Sequence, residues 1–298
     1  MKSAYKSLIH LVVFLTDFRI VTSAKWIVLV AVSLICSVAS YFKNSMFYDD
    51  ILPQTGQILT CNTGLSGNED VFSAYITDGR IAEMVNERLC SDSTIKRQYS
   101  GIKVVVGQSD YDTFRYINHG VVDLALVKSN IVDAFGADKI YGLTRLAAHP
   151  DYPAYFIALR EKPTLSKEYL LGKRIGLLDY PSSRSGHIVP KTVLHRLGLT
   201  DSNVDIIYYS SHKELRRALL AGEVDIISTY WAEEDGETFS KNYIAPLLES
   251  VSGMQWYLKM QTQNTDLFCA VQSVVYEIAT THPRPYYKNI TLEEGCNK

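Results

Sequence analysis

Residues 177–190 read LLDYPSSRSGHIVP, an apolar strand that passes through a serine-rich turn directly into a helix. A helix N-terminus leaves up to four backbone N–H groups without partners and carries about half a unit of positive charge. Serines just ahead of it therefore either cap the helix or join its amides in a cradle for an anion. In the second case Ser182, Ser183 and Ser185 supply hydroxyl donors, Gly186 lets the anion come close to the backbone, and Arg184 adds a fixed charge if it points the same way. The surrounding chain has to separate the two.

Outward from this turn the pattern is strand and helix in alternation. KRIGLLDY (173–180) is a strand, a helix runs from about Ser185 to Leu197 and closes at Gly198, VDIIYYS (204–210) is a strand, a helix covers 212–221, and VDIISTYW (224–231) is a strand. An earlier unit has the same form: QILTC (57–61), a helix over 78–90 behind Asp78, IKVVVGQ (102–108), a helix over 110–119, and VDLALV (122–127). The halves echo each other, since each closes a helix at a glycine (Gly120, Gly222) and opens a buried strand with Val-Asp (Val122-Asp123, Val224-Asp225). Two α/β lobes are expected: residues 57–153 with 232–298, and residues 154–231. AYFIALRE (154–161) is the first crossover, and the apolar segments after Trp231, YIAPLLE among them, return to the first lobe. Two crossovers make a hinge, and parallel sheets bind ligands in the crevice at the carboxyl ends of their strands.

The N-terminus differs in kind. WIVLVAVSLICSVASYF (26–42) holds no charge, is bracketed by Lys25 and Lys43, and is apolar enough to enter a bilayer. Lys2, Lys6, Arg19 and Lys25 against the single Asp17 keep residues 1–25 in the cytoplasm and export the chain beyond residue 43, in a bacterial inner-membrane, single-pass arrangement with the C-terminal domain in the periplasm. A cleaved signal peptide is the alternative, with Ser37 and Ala39 as small residues at a cleavage spacing. The lead's own apolar run, LIHLVVFL (8–15), is too short to span and would lie along the membrane surface. Residues 43–56, with Pro53 and Gly56, are a linker.

Export suits the cysteines. With Cys36 inside the apolar run, Cys61, Cys90, Cys269 and Cys296 remain, which allow three connectivities; proximity favours Cys61 with Cys90 and Cys269 with Cys296, and four free buried thiols are the alternative. No cysteine or histidine spacing suits a metal, no cofactor motif is present, and no nucleophile and base pair for catalysis. A net charge of -2 without a basic run argues against nucleic acid. The acidic run Glu233, Glu234, Asp235 and Glu237 is expected to be a solvated loop.

GKRIGLLDYPSSRSGHIVPKTVL followed by SHKELRRALLAGEVDIISTYW resembles the second lobe of the phosphonate-binding periplasmic proteins of ABC importers, which share Asp-Pro-x-Ser-x-Ser-Gly after a strand and Gly-Glu-Val-Asp before the next. SDYDTFRYINHGVVDLALV extends the resemblance more weakly, to about residues 57–235 in all. This chain has Arg184 where the family often carries threonine, and Tyr180 between Asp179 and Pro181. The resemblance implies an α/β, two-lobed type II periplasmic-binding fold. It implies an anionic ligand held by Ser182, Ser183, Ser185 and the amides near Gly186 and His187, with Tyr111 and Tyr230 closing over it. The expected function is binding of a small phosphonate- or phosphate-like anion, without catalysis. The expected partner is an ABC permease or, because the chain is tethered, a membrane histidine kinase or diguanylate cyclase. A ligand-free assembly module is the alternative.

Overall fold

The computed structural model describes residues 22–46, 57–260 and 262–296. Two compact units divide the chain between Thr55 and Gly56. The first contains one helix, Thr22–Met46. It starts before and ends after the apolar run 26–42, and its described side chains, Trp26 to Val38, are all exposed. Among the described residues no helix is long and apolar enough to cross a membrane. The lead up to residue 21, expected to be cytoplasmic, its run 8–15 and the expected linker from residue 47 onward lie outside the described residues.

The second unit contains two sheets. In the first the order is β1-β3-β2-β4-β11-β5-β12, with β1 Ile58–Asn62, β2 Val71–Ile76, β3 Gly101–Val106, β4 Leu124–Lys128, β5 Leu143–Ala148, β11 Met254–Lys259 and β12 Thr291–Leu292. In the second it is β10-β6-β9-β7-β8, with β6 Tyr152–Ala158, β7 Arg174–Leu178, β8 Asp205–Tyr209, β9 Ile226–Tyr230 and β10 Ile244–Val251. Each lobe is the same device. The first strand of a parallel trio (β2, β7) sits in the middle, the second and third flank it, and an antiparallel strand lies beside the third.

The Val-Asp pairs have a shared use. The Asp123 carboxylate accepts from the amide and hydroxyl of Ser73, each at 2.8 Å, and so ties β4 to β2. Asp225 accepts from the Arg174 amide and guanidinium, at 2.9, 3.2 and 2.8 Å, and ties β9 to β7. Gly120 and Gly222 before them take φ of +57° and +71°, as helix-closing glycines do.

Three expectations change. QILTC is not the first parallel strand: β1 is an antiparallel edge strand on β3, and the central strand is VFSAYI, directly after the loop that leaves β1. The second lobe does not end at Trp231, because YIAPLLE forms β10 and pairs antiparallel with β6 in the second sheet. The return to the first lobe is made afterwards, by β11 and the helix Thr265–Thr281, whose Leu267, Val271, Val275 and Ile278 fill the first lobe's core beside Ile81, Val85 and Leu89. Finally, Asp235 is not solvated. It is buried and paired with Arg216 through two contacts of 2.6 and 2.7 Å, while Glu233, Glu234 and Glu237 are exposed.

Both expected disulfides are present, Cys61–Cys90 and Cys269–Cys296, and both staple the first lobe. The two crossovers touch. The Asp151 carboxylate accepts from Gly253 N at 3.1 Å and Ser250 Oγ at 2.8 Å, and His149 N donates to Met254 O at 2.9 Å. Gly253 makes the approach possible: a Cβ there would lie 2.3 Å from the His149 carbonyl and 2.5 Å from that of Pro150.

Candidate functional site

The serine turn leaves the carboxyl end of β7 and faces the first lobe at the carboxyl end of β4 and the start of the helix Asp110–Asn118. That helix is capped by Ser109, whose Oγ accepts from Asp112 N, so the Asp110 carboxylate is left free to reach across. It accepts from Ser182 N at 2.8 Å and, through its other oxygen, from Ser182 Oγ. Lys128, at the end of β4, donates to the same hydroxyl at 2.8 Å. Tyr180, the residue inserted ahead of Pro181, donates to the Gln108 carbonyl at 3.0 Å. Ser182 thus stands in the middle of a Lys128–Ser182–Asp110 chain that joins the lobes.

The neighbouring residues divide. Ser183 is buried and its Oγ accepts from Gly186 N at 3.3 Å, which is the capping geometry. Ser185 is also buried, its carbonyl accepting from Ser228 Oγ at 2.7 Å. Gly186 is needed for packing, because a Cβ there would sit 2.6 Å from Leu178 Cδ1. The His187 ring donates to the Leu178 carbonyl at 2.7 Å and stacks on Tyr208, so it belongs to the second lobe's own surface. Tyr111 is 69% exposed; its neighbour Asp110, not its own ring, meets the serine turn. Tyr230 stands in an aromatic wall, its ring 4.8 Å from that of His212 and 6.0 Å from that of Tyr152, with Arg216 over its face at 5.0 Å.

Arg184 is 9% exposed and runs between the lobes. Its guanidinium donates to the Gly253 carbonyl in the crossover at 3.1 Å and to Ser129 Oγ at 3.4 Å, and its Nε is buried without a partner. Burial lowers the Lys128 pKa to about 8; the nearby Arg184 charge acts in the same direction and Asp110 opposes it. Burial likewise raises Tyr152, and lifts Tyr180 to about 12 with help from Asp110 and Asp112. His212, across from Lys128, is held at about 3 by burial and by the Arg216 and Lys128 charges, so it is neutral at physiological pH. Lys128 thus lies near both Arg184 and Asp110, with Tyr152 and Tyr180 close by.

Sequence reasoning missed Asp110, Lys128, Ser129 and Tyr152. The signal for Lys128 was a charge at the carboxyl end of an otherwise apolar strand, and for Asp110 the start of the facing helix. Among the described residues no group of histidine, cysteine and carboxylate side chains is placed to hold a metal. A depression of about 380 Å³ lies elsewhere, against Lys191, His195 and Asp201 on the second lobe. Lys191 and Asp201 already pair with each other there at 3.1 Å, and no buried charge faces it, so the cleft is the stronger candidate.

Comparison with known proteins agrees with this layout. Residues 98–243 match the NMT1/THI5-like family model. A search of the curated proteins finds no match. Among solved structures, PhnD1 from Prochlorococcus marinus in complex with methylphosphonate superposes with a TM-score of 0.53 at 13% identity, over 74% of this chain and 88% of that one. A Xanthomonas citri protein bound to ATP gives 0.51 at 15% identity, over 72% and 85%. The binding-protein component of an ABC phosphonate transporter from Pseudomonas aeruginosa gives 0.50 at 15% identity, over 70% and 75%. At such identities the likeness is one of fold. The two-sheet α/β fold resembles that of type II periplasmic-binding proteins, and the stretch that matches the NMT1/THI5-like model runs through parts of both lobes.

Proposed function

We propose that this protein is an extracytoplasmic solute-binding protein, tethered to the inner membrane, whose two lobes close on a small anion of the phosphonate or phosphate type. One observation carries the proposal: the buried Arg184 guanidinium has an unpartnered Nε, and near it Lys128 meets the Ser182 hydroxyl that also bonds Asp110. A buried, partly unsatisfied cation is costly unless an opposite charge joins it. An entering anion would offset this buried positive charge, and the tyrosine wall would exclude water around it. The methylphosphonate complex among the structural neighbours is in keeping with this. In this reading Ser182, Ser185, Arg184, Lys128 and Tyr152 would hold the anion, with Tyr230 behind them.

The tether is supported by the uncharged run 26–42, by the basic residues ahead of it, and by a helix whose described Trp, Ile, Val and Leu side chains are all exposed. A tethered receptor keeps its membrane partner at high effective concentration, which suits either an ABC permease or a sensor kinase or cyclase. Calorimetric titration of the full chain in detergent with phosphate, methylphosphonate, aminoethylphosphonate and sulfate tests the ligand class. Binding of one of them, weakened at least about tenfold in Lys128→Met, is the expected result; no heat from any of them with folded protein would return the cleft to an assembly role. Carbonate extraction of bacterial membranes tests the tether, since a spanning segment stays with the lipid.

A further inference from the structure

We propose that Asp110 is the resident anion of the cleft, a carboxylate of the first lobe that occupies the seat at Ser182 and that the ligand's anionic group has to displace. The inference rests on the anionic reading above and adds how the seat is controlled. Both oxygens of Asp110 are engaged by one residue of the opposite lobe, the Ser182 amide at 2.8 Å and the Ser182 hydroxyl. Lys128 approaches that hydroxyl from the first lobe at 2.8 Å, as a cation approaches a bound oxyanion. Helix capping does not explain the acid, because Ser109 already provides the cap.

Within the first lobe its nearby cation, Lys128, is met through the Ser182 hydroxyl and not in a direct salt bridge among the described residues, so the carboxylate's own contacts are with the opposite lobe. A second observation lies beside the seat: the buried Arg184, whose Nε has no partner. Around them Tyr180 reaches Gln108 and Arg184 reaches Ser129, so the lobes are held together by contacts in which Asp110 stands for the ligand. A phosphonate or phosphate oxygen brought to Ser182 would stand against the Asp110 carboxylate as a like charge. Closure is then the resting condition, and affinity for an anion is reduced by the fraction of molecules in which the seat is taken.

The test compares the full chain with Asp110→Asn by titration with methylphosphonate, inorganic phosphate and sulfate. Where one of these binds, the neutral variant is expected to bind it at least about tenfold more tightly, as removal of an internal competitor requires. Unchanged or weaker binding overturns the proposal, because Asp110 would then be idle or would itself contact the ligand. If no anion binds either protein, the anionic reading fails and lobe separation decides this one separately. Spin labels on cysteines replacing the exposed Glu83 and Lys213, in a Cys36→Ser background, report the distance between lobes. A wider ligand-free distance in Asp110→Ala, matched by Ser182→Ala, sustains the resident-anion role; an unchanged distance in both overturns it.

Discussion

Lys128 shows how one side chain sets opposite pH dependences for binding and for stability. Its pKa of about 8 lies below the ordinary lysine value because burial disfavours the charge. Above pH 8 the native state loses this proton while the unfolded chain keeps it up to about pH 10.4, so the lysine's contribution to stability rises with pH across that window. Anion affinity moves the other way: it should fall as pH rises through 8, and titration of Lys128→Met over pH 7–9 should give a flat profile. Asp235 offers a sharper stability test. Buried and bonded to Arg216 and Ala232 N, it leaves an unpaired guanidinium when removed, so Asp235→Ala should cost about 3–5 kcal/mol in denaturant unfolding. This residue was not legible in the sequence, since the other three acids of the run are exposed and nothing local marks which of the four turns inward. Gly186 was legible as a required glycine but not for its reason, which is a leucine on β7 that only the folded packing brings near.

At the scale of elements, the helices and the parallel strands could be read because caps and closing glycines are local. Asp78 and Ser109 cap their helices, and Gly198 and Gly222 end theirs with positive φ. The central strand β2 escaped because its partners β3 and β4 come much later in the chain, and only two residues separate it from the next helix. The destination of β10 was hidden for the same reason: an antiparallel return is apolar whichever sheet it joins. The cleft residues were legible on the serine side, where a motif exists, and illegible on the facing side, where Asp110 and Lys128 acquire meaning only from their opposite neighbours. The repeated Val-Asp stitch is testable. Asp123→Ala should cost about 1–3 kcal/mol through the two Ser73 bonds it breaks. The cost of Asp225→Ala should be smaller, because its Arg174 partner is 40% exposed and water replaces much of what is lost. Thermal melts of the two variants side by side rank them.

For the molecule as a whole, acid should be the weak side. His149, His212 and His282 all have lowered pKa values, in each case chiefly through burial. His149 is fixed as a neutral ring, its Nε2 accepting from Trp256 Nε1 at 3.1 Å and its Nδ1 facing the Asn289 carbonyl at 3.3 Å. Below about pH 6.5 the unfolded chain takes up protons that the native state refuses, so stability declines as pH falls from 7 towards 4. Melting temperatures across that range should drop, and His212→Gln should lessen the slope. The disulfides act on the same scale but on one lobe only. By loop closure each should contribute about 3.5 kcal/mol, and Cys269→Ala with Cys296→Ala should lower the melting temperature of the first lobe's core. Their placement also has a mechanical meaning. Tension arriving along the chain from the N-terminal side enters the domain at β1, an edge strand with a single neighbour. Hydrogen bonds over five residues would unzip one after another under such a pull, but Cys61 on that strand is bonded covalently to Cys90 on the helix Gly79–Ser91. The load therefore passes through a sulfur bridge into the core of the first lobe, and the cleft stays out of the line of force.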